Sequence, residues 1–321
     1  MIRITDRTLS CLDKFDVNGE ELRDFARLLV EIGVDWIEVS EKAYQLMGEL
    51  PEGGKYVLRL KHANSAAAYH DFHRFVCRNA QENADGNVCT EIVLNDIHER
   101  YTFARYSGYQ SVRIRGLDDL LLGNYTSAFQ QIRKSFSGFV EMCPTNGSYC
   151  ATAITAEWIS SGGLDVVTSF GGIGGFASTE EVILLLKLQR VRKVGKSYPE
   201  LPQMRRTLES ITRLPFSHNK PIIGEHIFVV ESGIHVDGIM KQPKCYEPFP
   251  PETVGQTRRV TLSKQSGMAS IRIKLDELGL PIEPKQIPKL LRAVKKKSVE
   301  VNRTISDEEF LSLTREFAAS V

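Results

Sequence analysis

Residues 139–170 read FVEMCPTNGSYCATAITAEWISSGGLDVVTSF. A short apolar run, Phe139–Met142, precedes a helical stretch, Tyr149–Ser161, and a second apolar run, Val166–Phe170. Two buried strands joined by one crossover helix make the unit of a parallel sheet with helices outside it. The same texture extends toward the N-terminus, with strand-like runs at Ile2–Thr5, Trp36–Val39, Tyr56–Leu60, Thr90–Leu94 and Val112–Arg115. Between them lie helical patterns. Asn18 with Glu21 three residues later predicts a capping box, Leu22, Phe25, Ala26, Leu29 and Ile32 recur at helical spacing, and Gly33 ends that helix. Ala66–Ala80, Ile97–Tyr109, Phe129–Phe136 and Glu180–Val191 read as further helices. Seven strands are legible, one short of a (β/α)8 TIM barrel. The expected class is therefore α/β, a TIM barrel that is degenerate or one unit short. Periodicity by itself leaves an open doubly wound sheet as the alternative closure.

After about residue 200 the texture changes. Pro199, Pro202, Pro215 and Pro221 punctuate a linker-like stretch, a Gly- and Pro-rich segment runs to Gly267, and helices follow. Ser306 with Glu309 makes a second capping box for the last of them. This places a barrel domain at 1–205 and, at 206–321, a linker subdomain followed by a mostly helical one. The 321 residues carry a formal net charge of +1, which gives no electrostatic reason to expect nucleic acid or an acidic membrane as partner. The basic run Lys295–Lys297 reads as a solvated helix face. No stretch approaches the ~20 apolar residues of a membrane span, and the N-terminus lacks a signal-peptide pattern. The six cysteines form no C-x-x-C pair, as expected of reduced, mostly buried thiols in a cytoplasmic protein.

Residues 224–267 read GEHIFVVESGIHVDGIMKQPKCYEPFPPETVGQTRRVTLSKQSG. His235 stands in a Gly-Ile-His-Val-Asp-Gly segment expected to form a loop, where glycine lets backbone approach a ligand. Imidazole is the usual group for proton transfer near neutral pH, although a lone histidine more often ties down its own loop. Over some 40 residues in one register, this segment resembles the region after the barrel in homocitrate and isopropylmalate synthases of the DRE-TIM metallolyase superfamily. Those enzymes share F-x-H-E-S-G-I-H-x-D-G, a Tyr-centred stretch, V-G and K-x-S-G. Weaker similarity covers nearly the whole chain, including an opening I-x-D-x-T-L and a G-G-I-G-G run after the last barrel strand. The resemblance implies condensation of acetyl-CoA with a 2-oxoacid, 2-oxoglutarate being the expected one. It implies catalytic roles for His235 as acid/base, Tyr246 as a supporting donor and Glu231 as the residue orienting the segment, all acting in a neighbouring subunit.

The same resemblance exposes a loss. The family holds a divalent ion with an Asp from R-D-G after the first strand and two His from H-x-H after the penultimate one, and the Arg stabilises charge on the substrate carbonyl. Aligned on D-x-T-L, the Arg position is Ser10 and the Asp position Cys11; counting back from Gly163 puts H-x-H on Pro144-Thr145-Asn146. The family's G-x-G-E-R-x-G-N is reduced here to Gly172-Ile173-Gly174-Gly175-Phe176-Ala177. An oxygen-liganded divalent site cannot be rebuilt from these positions. This chain's barrel is therefore expected to bind no metal or other cofactor, and the Zn, Mg or Mn ion to belong to a homologous partner subunit with an intact site.

Other candidates are weaker. His70 and His73, three apart on an expected helix, lack a further ligand. Cys143 and Cys150 read as small buried hydrophobes. Asp6, Glu38 and Asn95 at strand ends would line a vestigial pocket. The Gly171–Gly175 run is not a dinucleotide fingerprint. Three readings follow. The chain is one subunit of a two-subunit homocitrate synthase-type acyltransferase, an arrangement known for the family in some nitrogen-fixing bacteria; or a non-catalytic pseudoenzyme that regulates a related synthase; or an independent, isopropylmalate synthase-like homomer in which Arg59, Lys61, Arg113 or Arg115 replaces the metal as electrophile.

Overall fold

The computed structural model describes all residues except 79, 81–86, 107, 137, 190–196 and 319–321. By internal contacts the chain forms two compact units. One comprises Met1–Lys196, Glu200–Phe216 and Pro221–Ile223; the other comprises Ser197–Pro199, Ser217–Lys220 and Gly224–Val321.

In the first unit eight parallel strands close into a barrel in sequence order. They are β1 (Arg3–Asp6), β2 (Trp36–Ser40), β3 (Tyr56–Leu60), β4 (Arg74–Arg78), β5 (Val88–Leu94), β6 (Ser111–Gly116), β7 (Phe139–Pro144) and β8 (Asp165–Thr168). Closure is made by β1 on β8, with Ile4 opposite Val166 and Asp6 opposite Thr168. The barrel is thus complete, and the eighth strand is β4. It lies inside the expected helix Ala66–Ala80, which the structure replaces with a 3-10 turn, Ala63–Ala68, and this strand. The misreading has a physical cause: Ala66, Ala67, Ala68, Phe72, Phe75 and Val76 carry helical spacing, but Phe75, Val76 and Cys77 are all buried, as in a strand covered on both faces.

The outer helices are α1 (Thr8–Cys11), α2 (Gly19–Glu31), α3 (Glu41–Met47), α4 (Tyr125–Ser135), α5 (Ala151–Ser160), α6 (Thr179–Leu188) and α7 (Leu201–Thr212). The capping box of α2 is formed: Glu21 N donates to Asn18 Oδ1 (2.9 Å) and Asn18 N to Glu21 Oε2 (3.0 Å). The segment expected as the helix Ile97–Tyr109 is a 3-10 stretch, Ile97–Tyr106. Arg190 and Val191, expected to end α6, lie outside the described residues. The linker-like Pro stretch contains α7, because Pro202 sits in a first turn where its missing N–H is harmless.

The second unit has a two-stranded parallel ladder, β9 (Val229–Val230) with β10 (Arg259–Val260), and four helices among its described residues, α8 (Gly233–Lys241), α9 (Met268–Glu277), α10 (Ile287–Val301) and α11 (Asp307–Ala318). Its core is aliphatic, centred on Val236, Leu262, Ile271, Leu290, Val294 and Phe310. The Ser306–Glu309 box caps α11 (3.3 and 2.9 Å). Lys295 and Lys296 are exposed on α10. Among the described residues, no helix is long and apolar enough to cross a membrane.

Candidate functional site: a closed barrel mouth and an exposed His–Tyr pair

TIM barrels fill their lumen with layers of branched apolar side chains. Here one end of the lumen holds Val57, Val76 and Cys89, but the middle layer is ionic. Arg59 Nε donates to Glu38 (2.7 Å) and its Nη2 to Glu91 (2.6 Å). Arg113 Nε donates to Glu141 (2.7 Å) and its Nη1 to Glu38. Arg74 and Thr5 also donate to Glu141, both at 3.1 Å. Glu38, Glu91, Glu141 and Arg113 are at most 1% exposed. Burial pushes the three carboxylates toward protonation, but the guanidiniums around them dominate, holding Glu38 and Glu141 below the usual range and Glu91 at about 2. The lumen is thereby a fixed ion lattice. Arg59 and Arg113 are locked into it, so they are poor substitutes for a Lewis acid.

Active sites of this fold sit at the C-terminal ends of the strands. At this end Cys11, Cys143, Val167 and Phe176 form one packed cluster. The Arg7 guanidinium lies 4.0 Å from the Phe176 ring centroid and that of Arg115 lies 5.4 Å from it. Arg7 Nη1 is 3.5 Å from Cys143 Sγ. The glycine run explains how Phe176 gets there. Gly171, Gly172, Gly174 and Gly175 all take positive φ, and a Cβ on Gly174 would lie 2.8 Å from Cys11 Sγ. The run is a tight turn that lays Phe176 across the mouth.

These residues do not fit a divalent ion. Desolvation pushes the Cys11 thiol up to about 11 and raises that of Cys143, so both stay neutral at physiological pH, and the Arg7 cation stands beside them. Thr145 Oγ1 donates to Asp118, and Asn146 Oδ1 accepts from Ala151 N (3.0 Å) at the start of α5. Pro144 ends β7 and offers no side-chain donor. The vestigial-pocket candidates divide. Glu38 belongs to the ion lattice; Asp6 is buried and accepts from Thr8 N and Thr179 Oγ1; Asn95 is exposed and bonded to Glu99. Burial is the main reason that Asp6 is raised to about 6. His70 and His73 are exposed and lie in turns, not on a helix. Cys150 is half-buried, with its Sγ 3.2 Å from Ser148 O. An open cavity of about 540 Å³ remains beside β2 and β3, lined by Asp13, Ser40, Lys42, Arg59 and Lys61 among others.

The second unit presents the opposite picture. The expected Gly-Ile-His-Val-Asp-Gly loop is the helix α8. Gly233, at its start, packs so closely on Gly267 that a Cβ would lie 2.4 Å from Gly267 N, so the two ends of the 224–267 segment touch through glycine. Val236 and Ile239 face the core, while His235 faces solvent. Tyr246 follows a 3-10 turn, Pro243–Cys245, and its ring lies 5.9 Å from that of His235, tilted by 54°. Gly238 makes this approach possible, since a Cβ there would meet Tyr246 Oη at 2.2 Å. Tyr246 is 46% exposed, and the flanking Ile234 and Met240 are more so. Glu231 is exposed just before α8 and takes part in no hydrogen bond or ion pair among the described residues. Glu247 is held by Arg258 through two bonds of 2.6 and 2.7 Å.

Residues 222–303 match the family described as homocitrate synthase post-HMGL domain-like. The whole chain aligns with the homocitrate synthase omega subunit of Clostridium pasteurianum at 29% identity, covering 99% of this chain and 96% of that one. The chain is thus similar to homocitrate synthases, through its 222–303 segment and by alignment over its whole length. The homocitrate synthase AksA of Methanothermobacter thermautotrophicus is 36% identical over 48% of this chain, which spans only 40% of that relative. The barrel resembles that of the HMG-CoA lyase of Bacillus subtilis, with a TM-score of 0.54 at 13% identity over 67% of this chain and 95% of that one, a likeness of fold alone.

Sequence reading drew attention to Cys11 and Pro144–Asn146 but missed the cluster around Phe176. The Arg7–Phe176–Arg115 cluster joins residues far apart in sequence. Only the Gly run before Phe176 hinted at it.

Proposed function

We propose that this chain is the metal-free subunit of a homocitrate synthase-type acyltransferase and supplies His235 and Tyr246 to a homologous partner subunit that holds the divalent ion. The observation that carries this reading is the contrast between a barrel mouth covered by Phe176, with the Arg7 and Arg115 guanidiniums near its ring, and, in the other unit, two neighbouring solvent-facing side chains, His235 and Tyr246. The omega subunit of C. pasteurianum, similar over its whole length, is by name one subunit of such an enzyme. In the proposed reaction an imidazole nitrogen of His235 takes a proton from the methyl carbon of acetyl-CoA. The Tyr246 hydroxyl donates a hydrogen bond to the enolate oxygen that develops, and the methyl carbon then attacks the carbonyl carbon of the 2-oxoacid, 2-oxoglutarate by expectation. The carbonyl oxygen takes up a proton to become the hydroxyl of the product, and water hydrolyses the thioester to release CoA. Glu231, exposed just before α8, orients this segment through contacts with the partner subunit. The residues of this chain's own mouth take no part.

The test is acetyl-CoA consumption with 2-oxoglutarate by this chain alone, by an intact-barrel partner alone, and by the two together, repeated with His235→Ala and Tyr246→Phe. Silence of the single chain, activity of the pair, and loss of that activity in His235→Ala with the subunits still co-purifying support the reading. Pair activity indifferent to His235→Ala would make this chain a non-catalytic regulator. Activity of this chain alone would overturn the proposal.

A further inference from the structure

His218, Glu225 and His226 bracket a short hairpin that no step of the proposed reaction uses. Lys220 N donates to Ser217 O (3.0 Å), Gly224 N to Lys220 O (2.8 Å) and His226 N to His218 O (2.8 Å), so the two histidines stand side by side at its base. Gly224 is required there: a Cβ would fall 2.4 Å from His218 O and 2.5 Å from Lys220 O. Arg259 fixes the other side by donating to the Glu225 carbonyl (2.7 Å). The imidazoles are stacked, 4.7 Å between centroids and 18° between planes. His218 Nδ1 is 3.3 Å from Glu225 Oε2. One ligand atom from each of the three residues lies within 4.8 Å of the other two, the one such group among the described residues.

We propose that His218, Glu225 and His226 form a binding site for one borderline transition-metal dication, Zn²⁺ being the representative ion. Tetrahedral zinc, about 2.0–2.2 Å from nitrogen and oxygen ligands, sets those ligands roughly 3.4 Å apart. The His218–Glu225 pair already has that spacing. The other pairs close by rotation of side chains that are all exposed. Two imidazoles and a carboxylate suit Zn²⁺, Co²⁺ or Ni²⁺, whereas Ca²⁺ and Mg²⁺ want oxygen donors. Three protein ligands leave a fourth position for water. Bound metal would fasten the hairpin base three residues before β9, which is separated from α8 by two residues.

Full-length chain, stripped of metal and with its accessible thiols alkylated, is titrated with Co²⁺ and the ion is then displaced by Zn²⁺. The expected result is one Co²⁺ per chain, a visible d–d absorption without thiolate charge-transfer bands, and at least about tenfold weaker uptake in His218→Ala and in His226→Ala. Circular dichroism checks that the variants fold, and His226→Gln serves where His226→Ala does not. Thiolate charge-transfer bands, uptake unchanged in both histidine variants, or no stoichiometric uptake would overturn the proposal.

Discussion

The barrel mouth and the α8 segment are built from the same kinds of residue to opposite ends. In the lumen and at the mouth, charged and thiol groups are buried against one another: Arg113 reaches Glu38 and Glu141 in the lumen, and at the mouth Arg7 covers Cys143 and lies over Phe176, with Arg113 Nη2 and Arg7 Nε left without a hydrogen-bond partner among the described residues. At α8, a histidine and a tyrosine are exposed, with glycines at 233 and 238 letting backbone and ring approach closely. Groups whose electrostatic needs are met within the fold have little left for a substrate. Groups held in a defined geometry without being buried remain available to a ligand or a partner. A barrel lumen can thus hold several buried charges of both signs when the strands set them opposite one another.

The comparison breaks most visibly at His235. His235→Ala should lower the turnover of the paired enzyme by roughly 10²–10⁴, the range of a general acid–base group, with co-purification unchanged; an unchanged rate would remove α8 from the chemistry. On the other side, Arg113→Met takes one guanidinium from both Glu38 and Glu141, leaving Glu38 to Arg59 and Glu141 to Arg74 and Thr5. It should destabilise the barrel by about 3–5 kcal/mol in urea denaturation, as expected when one partner of a buried ion pair is lost. A loss under about 1 kcal/mol would mean that water reaches the lattice.

Acid titration sharpens the same point. Glu38, Glu91 and Glu141 have folded values below 4.5, so between that value and about 2 the unfolded chain binds more protons than the folded one. Stability from the lattice is therefore full above about pH 4.5 and is lost as pH falls toward 2. Asp6 works in the opposite sense. Its folded value near 6 exceeds the ordinary 3.8, so its ionisation lowers stability as pH rises from about 4 to 6. Asp6→Asn should flatten the stability profile over that window and leave stability at pH 7 equal or higher. The smallest effect is expected at Gly238→Ala, where the added methyl displaces Tyr246. Overpacking of this kind costs about 1–3 kcal/mol; because Tyr246 can swing into solvent, the low end is expected, with a loss of paired activity close to that of Tyr246→Phe.

Much of this was legible in the sequence. The alternation of apolar runs and helical patterns specifies a parallel sheet wrapped by helices, because strand and helix periods differ and are local properties. The capping boxes at Asn18 and Ser306 formed for the same reason. The long 224–267 segment carries the resemblance to homocitrate synthases, and Ser10, Cys11 and Pro144–Asn146 are the positions at which the barrel departs from it. Tertiary structure alone decided the rest. It made β4 a strand and closed the barrel, since pairing of Val57 with Arg74 and Phe75 with Val88 is non-local. It turned the expected His235 loop into a helix stapled by contact with Gly267. It converted scattered Arg and Glu residues on strands β2 to β7 into one neutralising lattice. Spacing along a chain reports which face a side chain takes; which charge stands opposite it across a barrel is fixed only when the strands come into register.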